Sequence, residues 1–281
     1  MTLGAALLAA RFLMGTVCEV AAPPRDAEAA FAEAKRIETM LSTWTDDSEL
    51  ARVNRGETQP SPELQTLLDT TLDWSRRTNH AFDPHVRGLI DAWQTRGDGA
   101  VPDRAQLDAA KRDTRIEEGA FGKGYALDRM LTRVEASEVM IDFGGQVMVR
   151  GAMRVRVADP AQRDHGVLAF TLRDASVSTS SGSEKTFTAN GRRFSHILDP
   201  RTGEALPPRG SVSVIAHDAL TADIVSTALY VMGEDEGLRW ANANDVAALF
   251  IDPQHNVRRS ARAREQLRDL ELLDRRFSIK D

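Results

Sequence analysis

The chain has 281 residues, of which 42% are hydrophobic and 28% charged, with 36 Lys and Arg against 42 Asp and Glu. A net charge of −6 argues against a nucleic-acid binder, which carries a basic surplus or stripe. No apolar run reaches the roughly 18 residues of a transmembrane helix, and the single cysteine, Cys18, excludes an internal disulfide.

Residues 3–10, LGAALLAA, are mildly apolar but lack a basic start and a cleavage site. No signal peptide is expected, which points to the cytoplasm; a leader upstream of this sequence would instead make the protein periplasmic or membrane-associated. Residues 12–20 alternate like a strand, with Cys18 as a small core residue. Residues 26–41 predict a helix with Phe31, Ala34, Ile37 and Leu41 along one face. Ser61 and Pro62 open another as N-cap and first helical residue, followed by Leu64, Leu67, Leu68 and Leu72. Residues 103–112 predict a short helix. From about residue 138 the pattern turns to strands: EVMIDF, QVMVRG, RVRVA, VLAFTL and ASVST. Asn190-Gly191 signals a hairpin. A strand at 211–216, a helix at 221–232 and a strand at 246–251 follow. Leu267, Leu270, Leu273 and Phe277 are spaced like a packing helix. Helices early and antiparallel strands late predict a single compact α+β domain and not a doubly wound sheet. We expect an N-terminal extension at 1–11, the main domain at 12–257, and a charged segment at 258–281 packed on it.

Several short segments bear chemistry. In ALTADIVSTALYVMG, Asp223 and Thr227 are four apart and share a helical face. A carboxylate and a hydroxyl suit Mg²⁺, with water and substrate phosphates completing its shell; equally, Asp223 can serve the helix dipole while Thr227 bonds back to its carbonyl. In EEGAFGKGYALD, Gly119, Gly122 and Gly124 permit close backbone approach and Lys123 adds a cation, so the loop can cradle phosphates or simply turn. Trp44, in STWTDDSELARVN, can stack on a planar ring. AFDP (81–84) and STSSG (178–182) are turns. His196, in SHILDPRTG, is either a structural histidine bonded to Asp199 or the backbone, or a general base, since imidazole ionises near neutrality.

Taken in order, MGT, S-x-W-x-x-x-S-E-L-x-x-x-N, AFDP, GKGYALD, DFGG, STSSG, SHILDPRTG and ADIVST resemble the ApbE family of FAD:protein FMN transferases, over residues 12–252. The resemblance implies an enzyme that binds FAD and Mg²⁺, cleaves the pyrophosphate, releases AMP, and joins FMN by a phosphoester to a Ser or Thr of an acceptor flavoprotein. It implies flavin-nucleotide contacts from Met14 and Trp44, an adenosine site at Ala81, Phe82 and Asp83, and FAD contacts from Glu117, Lys123 and the Leu198 backbone. The implied metal ligands are the Ala120 carbonyl, Asp223 and Thr227, and His196 is similar to the family's proposed base. The chain departs from the pattern at Glu117, where Asp is more usual, and in the extra serine of STSSG, which leaves Ser180 and Ser181 as alternatives. It also lacks the signal peptide or lipobox of exported members. Two other functions stay open: a Mg²⁺-dependent FAD pyrophosphatase, and a non-catalytic flavin-binding protein.

Overall fold

The computed structural model describes residues 7–94, 100–183 and 186–280. It opens on a hairpin of β1 (Leu7–Leu13) and β2 (Thr16–Ala22). The alternating stretch 12–20 is therefore two strands and not one. The break is at Met14-Gly15, whose φ values of 47° and 75° are those of a tight primed turn. A methionine at positive φ carries none of the usual turn chemistry, so the alternation runs through it unmarked.

Helix α1 (Pro24–Leu41) follows, with Pro24 in its first turn and Phe31, Ala34, Ile37 and Leu41 buried as the periodicity predicts. Next come α2 (Glu49–Asn54), α3 (Pro62–Arg77), α4 (Arg87–Gln94) and α5 (Arg104–Ala110). Ser61 caps α3 by accepting the Leu64 N–H at 3.3 Å, and Asp103 with Gln106 forms a capping box on α5. A single 3₁₀ turn, Glu118–Ala120, then leads into α6 (Gly122–Leu131).

The second half builds the sheet. Its strands are β3 (Val139–Phe143), β4 (Gln146–Asp159) and β5 (Gln162–Ser181), then β8 (Ser211–Ala216), after a separate hairpin of β6 (Thr186–Ala189) and β7 (Arg192–Ser195). Helices α7 (Ala219–Met232) and α8 (Glu234–Ala243) precede β9 (Ala247–Ile251) and β10 (Asn256–Arg259). The strand order is β1-β2-β3-β4-β5-β8-β9-β10, antiparallel throughout. The segments QVMVRG and RVRVA are one strand, β4, bent where Gly151 takes φ 85°. VLAFTL and ASVST likewise merge into β5. Asn190 and Gly191, at φ 49° and 70°, make the expected hairpin turn.

The principal core joins α1, α3, α6 and α7 to the sheet through Phe31, Leu64, Phe121, Leu127, Ile141 and Leu229. A second cluster lies around β4 and β5, with Leu168, Phe170, Leu267 and Phe277. A third joins α4 and α5 to the hairpin through Leu89, Trp93, Leu107, Phe194 and Leu198.

The C-terminal segment differs from expectation. Helix α9 (Ala261–Gln266) stops before Leu267, so Leu267, Leu270, Leu273 and Phe277 share no helix. The backbone instead takes β11 (Glu271–Leu272), pairing with the start of β5, and β12 (Ser278–Lys280), parallel to β10. The physical reason is an open edge: β8 pairs only with the end of β5, at 176–181, leaving the stretch near Val167–Ala169 to accept another strand.

Candidate functional site

Four segments meet around Glu117 and Glu118. Thr43 donates its hydroxyl to Glu118 Oε2 at 2.7 Å and to Glu117 Oε2 at 3.2 Å, and its N–H to Glu118 Oε1 at 3.3 Å. Arg87 Nη1 reaches Glu117 Oε2 at 3.1 Å. The Glu117 N–H donates to the Pro84 carbonyl at 2.9 Å, which ties AFDP to the same place. Asn54 straps the residue before Glu117, accepting the Ile116 N–H at 2.8 Å and donating to its carbonyl at 2.9 Å. Burial, and next the Glu118 charge, push the Glu117 carboxyl well above the usual carboxylate range against the pull of Arg87.

The expected nucleotide contacts fall around this knot. Trp44 follows Thr43 and is 81% exposed, so its ring faces solvent. Ser48 holds the Trp44 loop, accepting the Ala51 N–H as cap of α2 and donating to the Ser42 carbonyl. Met14 reaches the start of α6: its Sδ-methyl carbon lies 3.3 Å from where a Gly122 Cβ would stand, and its N–H is held by Glu38 Oε1 at 2.6 Å. Ala81 and Phe82 are core residues. Asp83 is half-buried, and its carboxylate takes His85 N–H at 2.9 Å, with His85 Nδ1 at 3.1 Å and Ser75 Oγ at 3.2 Å. Although burial opposes it, this bonding holds Asp83 below its ordinary pKa.

The expected metal ligands gather where α6 crosses α7. Asp223 is 5% exposed. Its Oδ2 accepts the Gly124 N–H at 2.9 Å, and Oδ1 lies 3.5 Å from Ser178 Oγ. Thr227 makes the back-bond to the Asp223 carbonyl at 3.2 Å and also approaches Ser180 Oγ at 3.4 Å. The 3₁₀ turn ending at Ala120 packs on α7, and Lys123 stands half-buried in the first turn of α6. Between the two serine alternatives, Ser180 faces Ser226 and Thr227, whereas Ser181 faces Ser183 and the Gly210 carbonyl.

STSSG also carries the site toward His196. A Cβ on Gly182 would stand 3.1 Å from Ser195 Cβ and clash with the Tyr230 hydroxyl, so this glycine seats the end of β5 against both α7 and the residue before His196. His196 is exposed. The turn after it is rigid: Leu198 bridges Ala205, Asp199 is engaged by Arg201, and Trp93 Nε1 donates to the Gly203 carbonyl at 2.9 Å. The Leu198 side chain belongs to the third core cluster, so any contact it makes with a ligand falls to its backbone.

Several residues of the site lie within the motifs without a role that the sequence reveals. Asn54, Ser178 and Glu118 stand inside the quoted segments STWTDDSELARVN, STSSG and EEGAFGKGYALD, but no role attached to them, because their partners are distant in sequence. Asp128 stood within GKGYALD without a role. It accepts the N–H groups of Ala219 and Leu220, at the start of α7. Burial pushes its carboxyl up to about 6 despite those two donors.

Fold and site define a class: a single-domain α+β protein that gathers hard oxygen donors at a helix crossing, beside an antiparallel sheet. The ApbE family model matches residues 14–250, and the chain belongs to the ApbE family. An FAD:protein FMN transferase of Treponema pallidum is 28% identical over 96% of this chain and 90% of its own length. One from Klebsiella pneumoniae is 28% identical, covering 75% and 72%. The crystal structure of an ApbE protein from Thermotoga maritima superposes with a TM-score of 0.82 at 26% identity, over 92% of this chain and 98% of that one.

Proposed function

We propose that this enzyme transfers FMN from FAD to a serine or threonine hydroxyl of an acceptor flavoprotein, through a phosphoester, with Mg²⁺ bound and AMP released. The observation that carries this reading is the buried Asp223 carboxylate at the α6–α7 crossing, beside Thr227 and the turn bearing Ala120. The donor set fits Mg²⁺: one carboxylate, one hydroxyl and one peptide carbonyl are hard oxygens, and Mg²⁺ characteristically shares its shell with water and substrate phosphates. Among the described residues no group of three or more His, Cys, Asp and Glu forms a self-sufficient metal cage. Bound there, Mg²⁺ supplies charge neutralisation on the pyrophosphate as the leaving phosphate departs.

The chain's own residues supply the rest. Trp44 stacks on the flavin; Glu117, Asp83 and the Ala81–Phe82 turn position the remainder of FAD; Lys123 adds positive charge at the phosphates. His196 takes the proton of the attacking hydroxyl as its oxygen bonds to the FMN phosphorus and the bond to AMP breaks. The test is incubation with FAD and Mg²⁺, with and without an acceptor flavoprotein domain. Covalent labelling of the acceptor supports transfer. Release of FMN and AMP without labelling makes the protein a pyrophosphatase, and unchanged FAD makes it a binding protein.

A further inference from the structure

The first residue of α7 is gripped from several directions. The Ala219 N–H donates to Asp128 Oδ1 at 2.7 Å, and the Leu220 N–H to Asp128 Oδ2 at 2.9 Å. The Ala219 carbonyl accepts from Gln146 Nε2 at 2.7 Å. The same carbonyl lies 2.5 Å from where a Gly124 Cβ would stand, and Asp223 Cβ lies 2.8 Å from that point. Only glycine lets α6 come so near. Yet α7 already has its own N-cap, Asp218, which accepts the Thr221 N–H at 2.7 Å. Starting the helix therefore does not require Asp128. What its two bonds fix is where the helix lies.

Asp128 and Gly124 are one turn apart on the same face of α6. Ala219 and Asp223 are likewise one turn apart on α7. One face of α6 thus holds α7 twice, at Ala219–Leu220 through a carboxylate and at Asp223 through the Gly124 N–H. We propose that Asp128 is a positioning residue for the metal site: by clamping the start of α7, it sets the place of the Asp223 carboxylate, with Gln146 as its helper. This rests on the reading of Asp223 as the Mg²⁺ ligand. Outer partners that orient a ligand typically change metal affinity by about 10- to 100-fold when lost.

Asp128→Asn keeps the size but presents an amide donor to one of the two N–H groups. Binding of Mn²⁺ to the FAD-free protein, followed by electron paramagnetic resonance, should weaken by roughly 10- to 100-fold. The Mg²⁺ concentration for half-maximal transfer should rise by a similar factor, with KM for FAD nearly unchanged. The control is Asp26→Asn: Asp26, in the first turn of α1, is a buried carboxylate that also accepts two backbone N–H groups, of Glu135 and Ala136. It should lower the melting temperature without altering Mn²⁺ affinity. If Asp128→Asn also lowers only the melting temperature, Asp128 is merely structural and the proposal is overturned. Should that variant not fold, Gln146→Met, which loses the Ala219 contact alone, carries the test with a smaller effect of the same sign. Asp223→Ala separates the two levels. If it binds Mn²⁺ like the parent, the metal assignment fails and the clamp falls with it; if it loses Mn²⁺ while Asp128→Asn does not, only the clamp fails.

Discussion

The Asp223 carboxylate is buried, but only one of its oxygens has a hydrogen bond of ordinary length, from Gly124. Such a group has lone pairs to give. Asp223→Ala should abolish Mg²⁺-dependent turnover while α7 persists, since ten other residues of that helix are buried. Thr227→Val should weaken metal binding less, because a neutral hydroxyl holds a hard cation less firmly than a carboxylate; Mg²⁺ titration of the rate measures both. An Asp223→Ala enzyme with the parent's Mg²⁺ dependence would return the pair to a capping role. At His196 the expectation is a split. His196→Ala and His196→Gln should keep FAD affinity near the parent's and lose transfer by on the order of 10²- to 10⁴-fold. Recovery by the glutamine variant would mean that positioning, not proton transfer, is the histidine's task. At this scale candidates stand out in the sequence where a residue's type is itself unusual in its segment, as with His196, Lys123 and Asp223. The segments holding Glu118, Asn54 and Ser178 were legible but the roles of these residues were not, because each matters through a partner that folding brings to it.

Between elements, α1, α3 and α6 are joined by an ionic cluster. Arg36 binds Glu33 and Glu63, both at 2.7 Å, and Tyr125 donates to Glu63 at 2.7 Å. Arg133 reaches Glu33 at 3.0 Å. The bond from Arg36, aided by Tyr125, lowers the Glu63 carboxyl from 4.5 to about 2 against the penalty of burial. Since the folded value lies below the unfolded one, the stabilisation is complete above pH 4.5 and fades as pH falls toward 2. Glu63 is partly exposed, so solvent screening limits its worth to roughly 1 kcal/mol. Glu63→Gln should therefore be less stable than the parent by about that amount at pH 7. The gap should close through the acid window in urea unfolding followed at several pH values; a constant gap would assign the loss to packing. Elements themselves were read well where a cap and a period agreed, as at Ser61–Pro62 of α3. The α1–α3–α6 ion cluster was not, because sequence spacing says nothing of charges on separate helices.

Across the whole molecule, the C-terminal segment behaves as part of the fold. Phe277 is 2% exposed, within the second core cluster beside Leu168 and Phe170. Phe277→Ala should cost about 3–5 kcal/mol, seen as one shifted cooperative unfolding transition; a separate early transition would mean that residues 258–281 melt independently. That these residues pack on the domain follows from their apolar content. That they do so as strands does not, since Leu267, Leu270, Leu273 and Phe277 fit helical spacing. The deciding fact is the edge of β5 that β8 leaves uncovered, a property of sheet order that no local window contains. The α+β class was legible for the opposite reason: it depends on the order of periods along the chain, and that order survives small errors at Met14 or Gly151.

The exposure of Trp44 has an optical consequence. Of the chain's four tryptophans, Trp74 and Trp93 are buried and Trp240 is half-buried. An indole that is 81% exposed emits at the red end of the tryptophan band and is open to iodide quenching, whereas buried indoles emit to the blue and are shielded. Isoalloxazine absorbs where indole emits, so a flavin against Trp44 would darken the red component first. If Trp44 stacks on the flavin as proposed, it is a fluorophore that reports occupancy without any label.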